Sequence, residues 1–310
     1  MSQQPRVTLG LPVYNGEQHL THALDAILAQ TYQNFVLVIS DNASTDRTQE
    51  ICLAYAAKDP RIHYYRNAVN LGAAQNFNRA FELSSSEYFM WASHDDIMLP
   101  TLLAKCVAML DRDPTLVLCH CLVNIIDEDG QVMTAYDDAL TLHNARSARP
   151  SDRFKDLILI PHYCFDSYAL IRASALTMQP IFEGHVGSDR NLLAELGLLG
   201  KFYHIPEYLF LNRDHTRRHW PLWQWVAQFD TARVRQIPYP RWSLLGGYLK
   251  SVRRAPLSRR ERLRCYLLIG TWIPRNGRGL AKDLLVAAAL FLKRLVRLYK
   301  QSTHLSESWS

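Results

Sequence analysis

Apolar positions along the first 125 residues alternate between two periods. Val7–Val13 is a short β-rich run. From Glu17 to Gln30 the apolar residues Leu20, Ala23, Leu24, Ile27 and Leu28 recur three and four apart, which predicts a helix with one buried face. Phe35–Ser40 reads as a strand and Asp46–Ala57 as a helix, with Ser44 or Thr45 available to cap it. Ile62–Arg66, Tyr88–Ala92 and Leu116–Val123 read as further strands. Gly72–Leu83 and Pro100–Leu110 read as helices, the latter opening on proline. Strands separated by helices of this length build βαβ units, so the pattern predicts an α/β fold around a mostly parallel sheet. Beyond residue 130 the pattern weakens. Asp127–Gly130 predicts a hairpin turn, Tyr163–Arg172 a strand leading into a short helix, and Asp189–Leu199 a helix stopped by Gly200. Lys201–Ile205 and Tyr208–Leu211 read as strands.

In open parallel sheets ligands bind beyond the carboxyl ends of the strands. Here those positions are polar: Tyr14-Asn15-Gly16 after the first strand and Asp41 to Asp46 after the second. Asn67 to Asn70 follow the third, and Ser93-His94-Asp95-Asp96 the fourth. The adjacent carboxylates Asp95 and Asp96 need solvent, a cation or a hydroxyl-bearing ligand, because burying them unpaired costs several kcal/mol per ion. A hard divalent cation shared with a diphosphate satisfies them, since Mg²⁺ or Mn²⁺ takes one or two carboxylates plus phosphate oxygens. A solvated helix N-terminus is the plain alternative.

The runs PVYNG, QTYQNFVLVISDNASTD, NLGAAQNFNRAF and SHDDIMLP occur in this order. Together they resemble the nucleotide-sugar-binding half of a family-2 glycosyltransferase, an inverting enzyme of the GT-A (Rossmann-like) fold. The resemblance spans residues 6–130, weakens through 160–215 and does not extend to 216–310. It implies that Pro12, Tyr14 and Asn15 hold the nucleotide base and that Asp41 hydrogen-bonds the base edge. Asn70, Gly72, Asn76 and Asn78 would close over nucleoside and diphosphate. Asp95 would face ribose or sugar, and Asp96 would bind a divalent metal, Mn²⁺ or Mg²⁺. The Arg213-Asp214-His215 element matches an R-x-H segment, in which Arg213 offsets diphosphate charge and His215 touches diphosphate or metal. Asp189 takes the place of the family's base catalyst. The family often has an acidic pair there, and Ser188 replaces its first member. Glu183 and Glu195 are weaker rivals for the role.

Composition divides the chain. A hydrophobic fraction of 48% supplies a real core. The net charge of +6 hides two regions of opposite sign. Residues 1–200 carry 14 Lys+Arg against 23 Asp+Glu, and residues 241–300 carry 15 against 2. An acidic first half argues against nucleic acid as the partner there. The six cysteines lie mostly in apolar runs and read as small core residues of a reducing compartment. The first residues lack a signal peptide's apolar run, and the longest apolar run, nine residues from Leu284 to Leu292, is too short to span a bilayer. From Leu280 to Lys300 apolar positions recur at helical spacing, with Lys293, Arg294, Arg297 and Lys300 towards the end. That pattern predicts a basic amphipathic helix on an anionic membrane surface. Packing on the catalytic domain and a monomer–monomer contact are the alternatives, and Trp220, Trp223, Trp225 and Trp242 are candidate anchors that core packing explains as well.

Two regions are therefore expected: a GT-A catalytic domain over 1–215 and a basic, mainly helical region over 216–310. The expected function is an inverting transfer of a sugar from a nucleoside diphosphate (UDP, dTDP or GDP left open) to an acceptor hydroxyl. The expected setting is cell-surface polysaccharide synthesis in the cytoplasm, at the cytosolic face of the membrane, with a glycan or lipid-linked acceptor. A catalytically silent nucleotide-sugar-binding or scaffold protein is the alternative, raised by Ser188. A nucleotidyltransferase is disfavoured, since no glycine- and arginine-rich N-terminal phosphate loop is evident.

Overall fold

A computed structural model describes residues 4–136, 142–176, 180–214 and 239–291. The first half follows the periodicities closely: β1 (Val7–Val13), α1 (Leu20–Leu28), β2 (Phe35–Asp41), α2 (Thr48–Ala56), β3 (Ile62–Arg66), α3 (Ala73–Glu82) and β4 (Tyr88–Trp91). Then come β5 (Ile97–Met98), α4 (Leu102–Arg112), β6 (Leu116–Ile126) and β7 (Val132–Tyr136). The second half adds α5 (Pro150–Leu159), β8 (Leu170–Arg172), α6 (Ser188–Leu199) and β9 (Lys201–Arg213). Last are α7 (Pro240–Arg254), α8 (Arg259–Arg275) and a helix α9 over 277–291.

The strands form one sheet in the order β3-β2-β1-β4-β8-β6-β9-β5, with β7 hydrogen-bonded to β6. Pairings among β3, β2, β1 and β4 are all parallel. Antiparallel pairing enters with β8, which lies between β4 and β6. The chain runs outward from β1 to β2 and β3, then returns to place β4 on the other side of β1. The crevice at that reversal is where an α/β sheet presents its ligand site.

Alternation along the strands sorts the core. In β4, Tyr88 and Met90 face one cluster with Leu9, Leu24, Leu37 and Leu103, covered by α1 and α4. Phe89 and Trp91 face the other, with Leu192, Leu193 and Leu196 of α6. A third cluster joins Phe154 and Ile158 of α5 and Ala194 and Leu198 of α6 to Leu245, Tyr248, Cys265, Trp272 and Leu280. The basic C-terminal helices are thus built directly onto α5 and α6.

Several local expectations are corrected. Neither Ser44 nor Thr45 caps α2, whose N-cap is Arg47 without a side-chain bond; Ser44 instead accepts the Asn15 N–H. The two strands read at Lys201–Ile205 and Tyr208–Leu211 are one strand, β9, with register shifts against β6. Tyr163–Arg172 is a 3-10 turn at Phe165–Tyr168 that precedes the strand β8. Within 280–300 the described part ends at 291; Leu280 and Ala287 are buried, while Leu284, Leu285 and Phe291 are exposed. Trp220, Trp223 and Trp225 lie outside the described residues, and Trp242 donates its indole N–H to the Leu280 carbonyl at 3.2 Å. No helix among the described residues is long and apolar enough to cross a membrane.

Candidate active site

The site is assembled from loops at the carboxyl ends of β1, β2 and β4. The first two loops bind each other. Asn15, in the left-handed region at φ 51°, accepts the Thr45 N–H through Oδ1 at 2.8 Å and donates its own N–H to Ser44 Oγ at 3.0 Å. The Gly16 N–H donates to Thr48 Oγ1 at 2.8 Å. Asp46 accepts the Glu17 N–H, and Glu17 accepts the Arg47 N–H. A Cβ on Gly16 would lie 2.7 Å from the His94 ring, so glycine lets the β1 and β4 loops close together. Tyr14 stands at this rim with 45% of its surface exposed, and Pro12 is buried in β1.

Asp41 ends β2 fully buried. Its Oδ1 accepts the Ser44 N–H at 2.9 Å, its Oδ2 accepts the Tyr64 hydroxyl at 2.6 Å, and Arg66 Nε lies 3.5 Å away. An amide network lies beside it. Asn42 accepts the Leu71 N–H and donates to Asn70 Oδ1. Asn70 in turn accepts the Gly72 N–H. Gly72 sits at φ 86° and ψ 160°, a conformation essentially reserved for glycine, and lets the chain turn into α3. Asn76 is 2% exposed and binds inward: Oδ1 accepts from Ser40 Oγ and Asn67, and Nδ2 donates to the Ser40 carbonyl. Asn78 forms a two-way bond with the Phe182 backbone. Asn76 and Asn78, expected to close over the donor, therefore fasten α3 to the sheet and to the loop that leads into α6.

The acid pair is held from β9. Asp96 Oδ1 accepts from Asn212 Nδ2 at 3.0 Å and from the Arg213 N–H at 2.9 Å. Asp95 accepts the Ser93 hydroxyl, and His94 Nε2 approaches its carboxylate at 3.9 Å. Arg213 was expected to offset diphosphate charge, but the structure turns it inward. It is buried, with Nε donating to the Asp95 carbonyl and Nη1 to the carbonyls of Asp127 and Glu128. It staples the acid pair to the β6–β7 turn. The other half of that motif, His215, lies outside the described residues.

Asp189 occupies the first turn of α6, after Gly187 in the left-handed region. Burial pushes its carboxyl above the ordinary aspartate range. The Arg190 N–H at 2.9 Å, the Arg190 charge and the Cys164 thiol only partly oppose that shift. Arg190 holds the segment before the 3-10 turn, donating to the carbonyls of His162, Leu157 and Ile160. The turn carries Tyr168, which stacks on Phe210. Burial raises its hydroxyl pKa, and the charges of Asp96, Asp95 and Asp189 raise it further. One side chain thus lies within the field of all three carboxylates.

Sequence reading missed Tyr168 and the Asp166–His204 pair. Asp166 in the same turn accepts from His204 Nε2 at 2.8 Å, with His120 Nδ1 at 3.7 Å, and Asp166 and His120 are buried. Burial works against its charge, but the His204 charge and hydrogen bond hold its carboxyl below the ordinary range. No run or spacing in the sequence marks these contacts, which join three separate segments.

Among the described residues no group of three His, Cys, Asp or Glu side chains is placed to hold a metal. The donor chemistry still fits a hard cation: Asp95 and Asp96 present carboxylate oxygens, and such a metal needs few protein ligands when phosphate supplies the rest.

A family model described as glycosyl transferase family 2 matches residues 8–177. The chain belongs to this family. As a family-2 glycosyltransferase it has relatives in several bacteria. An uncharacterised glycosyltransferase of Rickettsia prowazekii is 32% identical over 219 residues, 68% of this chain and 62% of that relative. One of Rickettsia typhi is 33% identical over 125 residues, 40% and 38% of the two chains. The chain thus spans less than two thirds of either relative's length. Among solved structures, Staphylococcus aureus TarS in complex with UDP superposes with a TM-score of 0.61 at 14% identity, over 87% of this chain and 71% of that one. The mannosyltransferase PcManGT of Pyrobaculum calidifontis, in complex with GDP-Man and Mn²⁺, gives 0.50 at 20% identity, over 97% and 84%. These likenesses establish the GT-A fold of the transferase.

Proposed function

We propose that this glycosyltransferase moves a sugar from a nucleoside diphosphate to an acceptor hydroxyl with inversion, Asp189 acting as the base. The observation that carries this is the half-buried Asp189 carboxylate in the first turn of α6, held above its ordinary range, whose charge and those of Asp95 and Asp96 all act on the Tyr168 hydroxyl. A base works best when its pKa approaches the working pH, and burial moves Asp189 in that direction. The nucleoside would sit on the joined β1 and β2 loops, beneath Tyr14 and beside Asn15, Asp41 and Asn70. Asp41 meets the base edge only by sharing oxygens already bound to Tyr64 and Ser44. Asp96, with Asp95, would hold Mn²⁺ or Mg²⁺, whose charge when bound offsets that of the departing diphosphate. Arg213 and Asn212 keep Asp96 aimed at the site. Asn76, Asn78 and Arg213 serve as positioning residues.

UDP, UDP-GlcNAc and GDP-Man are bound by the solved neighbours, and the donor here belongs to that class. The acceptor would be a glycan or a lipid-linked glycan, in polysaccharide synthesis at the cytosolic face of a membrane. On this reading residues 1–215 form the catalytic domain and 216–310 the membrane-facing region. A thermal-shift screen of nucleotide sugars with Mn²⁺ identifies the donor, because a bound ligand raises apparent stability. Donor turnover in wild type and Asp189→Ala then tests the base. Wild-type-like turnover in the variant removes the assignment, and no turnover in either leaves a silent binder as the better account.

A further inference from the structure

The geometry points to the outer face of α8 as a docking surface for an anionic lipid bilayer. This deepens the membrane-face part of the proposed function and moves the contact from residues 280–300 to α8. Its test needs no sugar transfer.

The helix α8 has two apolar faces where a surface helix ordinarily has one. Its inner face, Cys265, Ile269 and Trp272, is buried in the cluster with α7 and α5. On the opposite side Leu263 and Leu267, one turn apart, are 60% and 63% exposed, and Tyr266 at the edge of this face is also exposed. Neighbouring α9 also exposes apolar side chains: Leu280 and Ala287 are buried, while Leu284 and Leu285 are exposed, the latter at 72%. Isolated exposed leucines are unremarkable, but an adjacent pair flanked by an exposed tyrosine, opposite a fully packed face, marks an interaction surface.

Charge selects the occupant. Arg259, Arg260, Arg264 and Arg275 of α8 are all exposed. Residues 241–300 contain only two acids, Glu261 and Asp283. Both are engaged within the fold. Glu261 accepts the Ser151 N–H of α5 and pairs with Arg264, and buried Asp283 accepts the Arg241 N–H. The outer surface of these helices is therefore apolar and cationic, and the one paired cation of α8, Arg264, leaves Arg259, Arg260 and Arg275 without an opposing carboxylate on that helix. That combination suits an interface of acyl chains beneath anionic headgroups. A second copy of the chain would bring the same cations against themselves.

The test is flotation of the full chain with vesicles of phosphatidylcholine, alone or with about one-third phosphatidylglycerol. Wild type is expected to float with the anionic vesicles and not with the neutral ones. A Leu263→Ser/Leu267→Ser variant is expected to bind at least about tenfold more weakly. Leu295→Ser/Leu298→Ser, in the segment where the sequence placed the contact, is expected to stay near wild type. Both leucines of α8 are exposed, so the variant keeps the wild-type melting temperature; should it not, Arg259→Gln/Arg260→Gln gives the same comparison through charge. Unchanged binding of the α8 variants overturns the proposal, as does loss of binding in the Leu295/Leu298 variant alone. A wild-type dimer in sedimentation that the α8 variant turns to monomer, with no vesicle binding, assigns the face to a second copy instead.

Discussion

Replacing Asn76 by alanine separates support from donor contact. The side chain makes three short bonds: Oδ1 accepts the Ser40 hydroxyl at 2.7 Å and the Asn67 amide at 3.0 Å, and Nδ2 donates to the Ser40 carbonyl at 2.8 Å. In Asn76→Ala all three partners lose a bond inside a site closed to water. Asn67 keeps Asn42 Oδ1 at 3.2 Å, and the Ser40 hydroxyl is free to rotate. One or two groups are then left unsatisfied, at about 1–3 kcal/mol each, for a loss of about 3 kcal/mol. For a chain of this size that lowers the melting temperature by roughly 6 °C. Thermal unfolding followed by circular dichroism without donor reads this directly, and donor affinity well below the transition reads the other possibility. A variant that melts with wild type yet loses donor affinity would refute the reasoning and make Asn76 a donor contact.

Asp189→Asn is expected to cut turnover by about 10²–10⁴-fold while stabilising the protein. The folded carboxyl is raised above 3.8, so its contribution to stability is present below that value and is lost as pH rises through the raised pKa. The variant's advantage in melting temperature should therefore be absent in acid and grow towards neutral pH; a gap that stays constant or reverses contradicts the assignment. Gly247→Ala places a methyl 1.9 Å from Asn191 Nδ2 and 2.3 Å from its Cγ, at a position where α7 packs on α6 two residues past Asp189. A loss of about 1–3 kcal/mol with a fall in turnover is expected; unchanged stability in denaturant titration would show that the two helices separate freely there.

How much was legible depended on the range of the interactions involved. Periodicity located β1 to β4 and α1 to α4 because each buries its own side chains by a local repeat of two or of 3.6 residues. It missed α5, α7 and α8. Ser258 and Glu261 have the spacing of a capping box at the start of α8, and the Ser258 hydroxyl accepts the Glu261 N–H while the Glu261 carboxylate binds Ser151 and Arg264; that local signal was open to reading. The inner and outer apolar faces of α8 left no single stripe to find.

By itself the sequence determined the βαβ order, the polar residues that end each strand, the family and the separation of acidic from basic halves, because these are properties of neighbours along the chain. Only the tertiary structure decided which polar groups remain available. It turned Arg213 into a staple, buried Asp41 and Asn76 in internal bonds, and brought Tyr168 within the field of Asp95, Asp96 and Asp189. A carboxylate or guanidinium acts according to what surrounds it, and here those surroundings come from segments that approach one another only when the sheet is assembled.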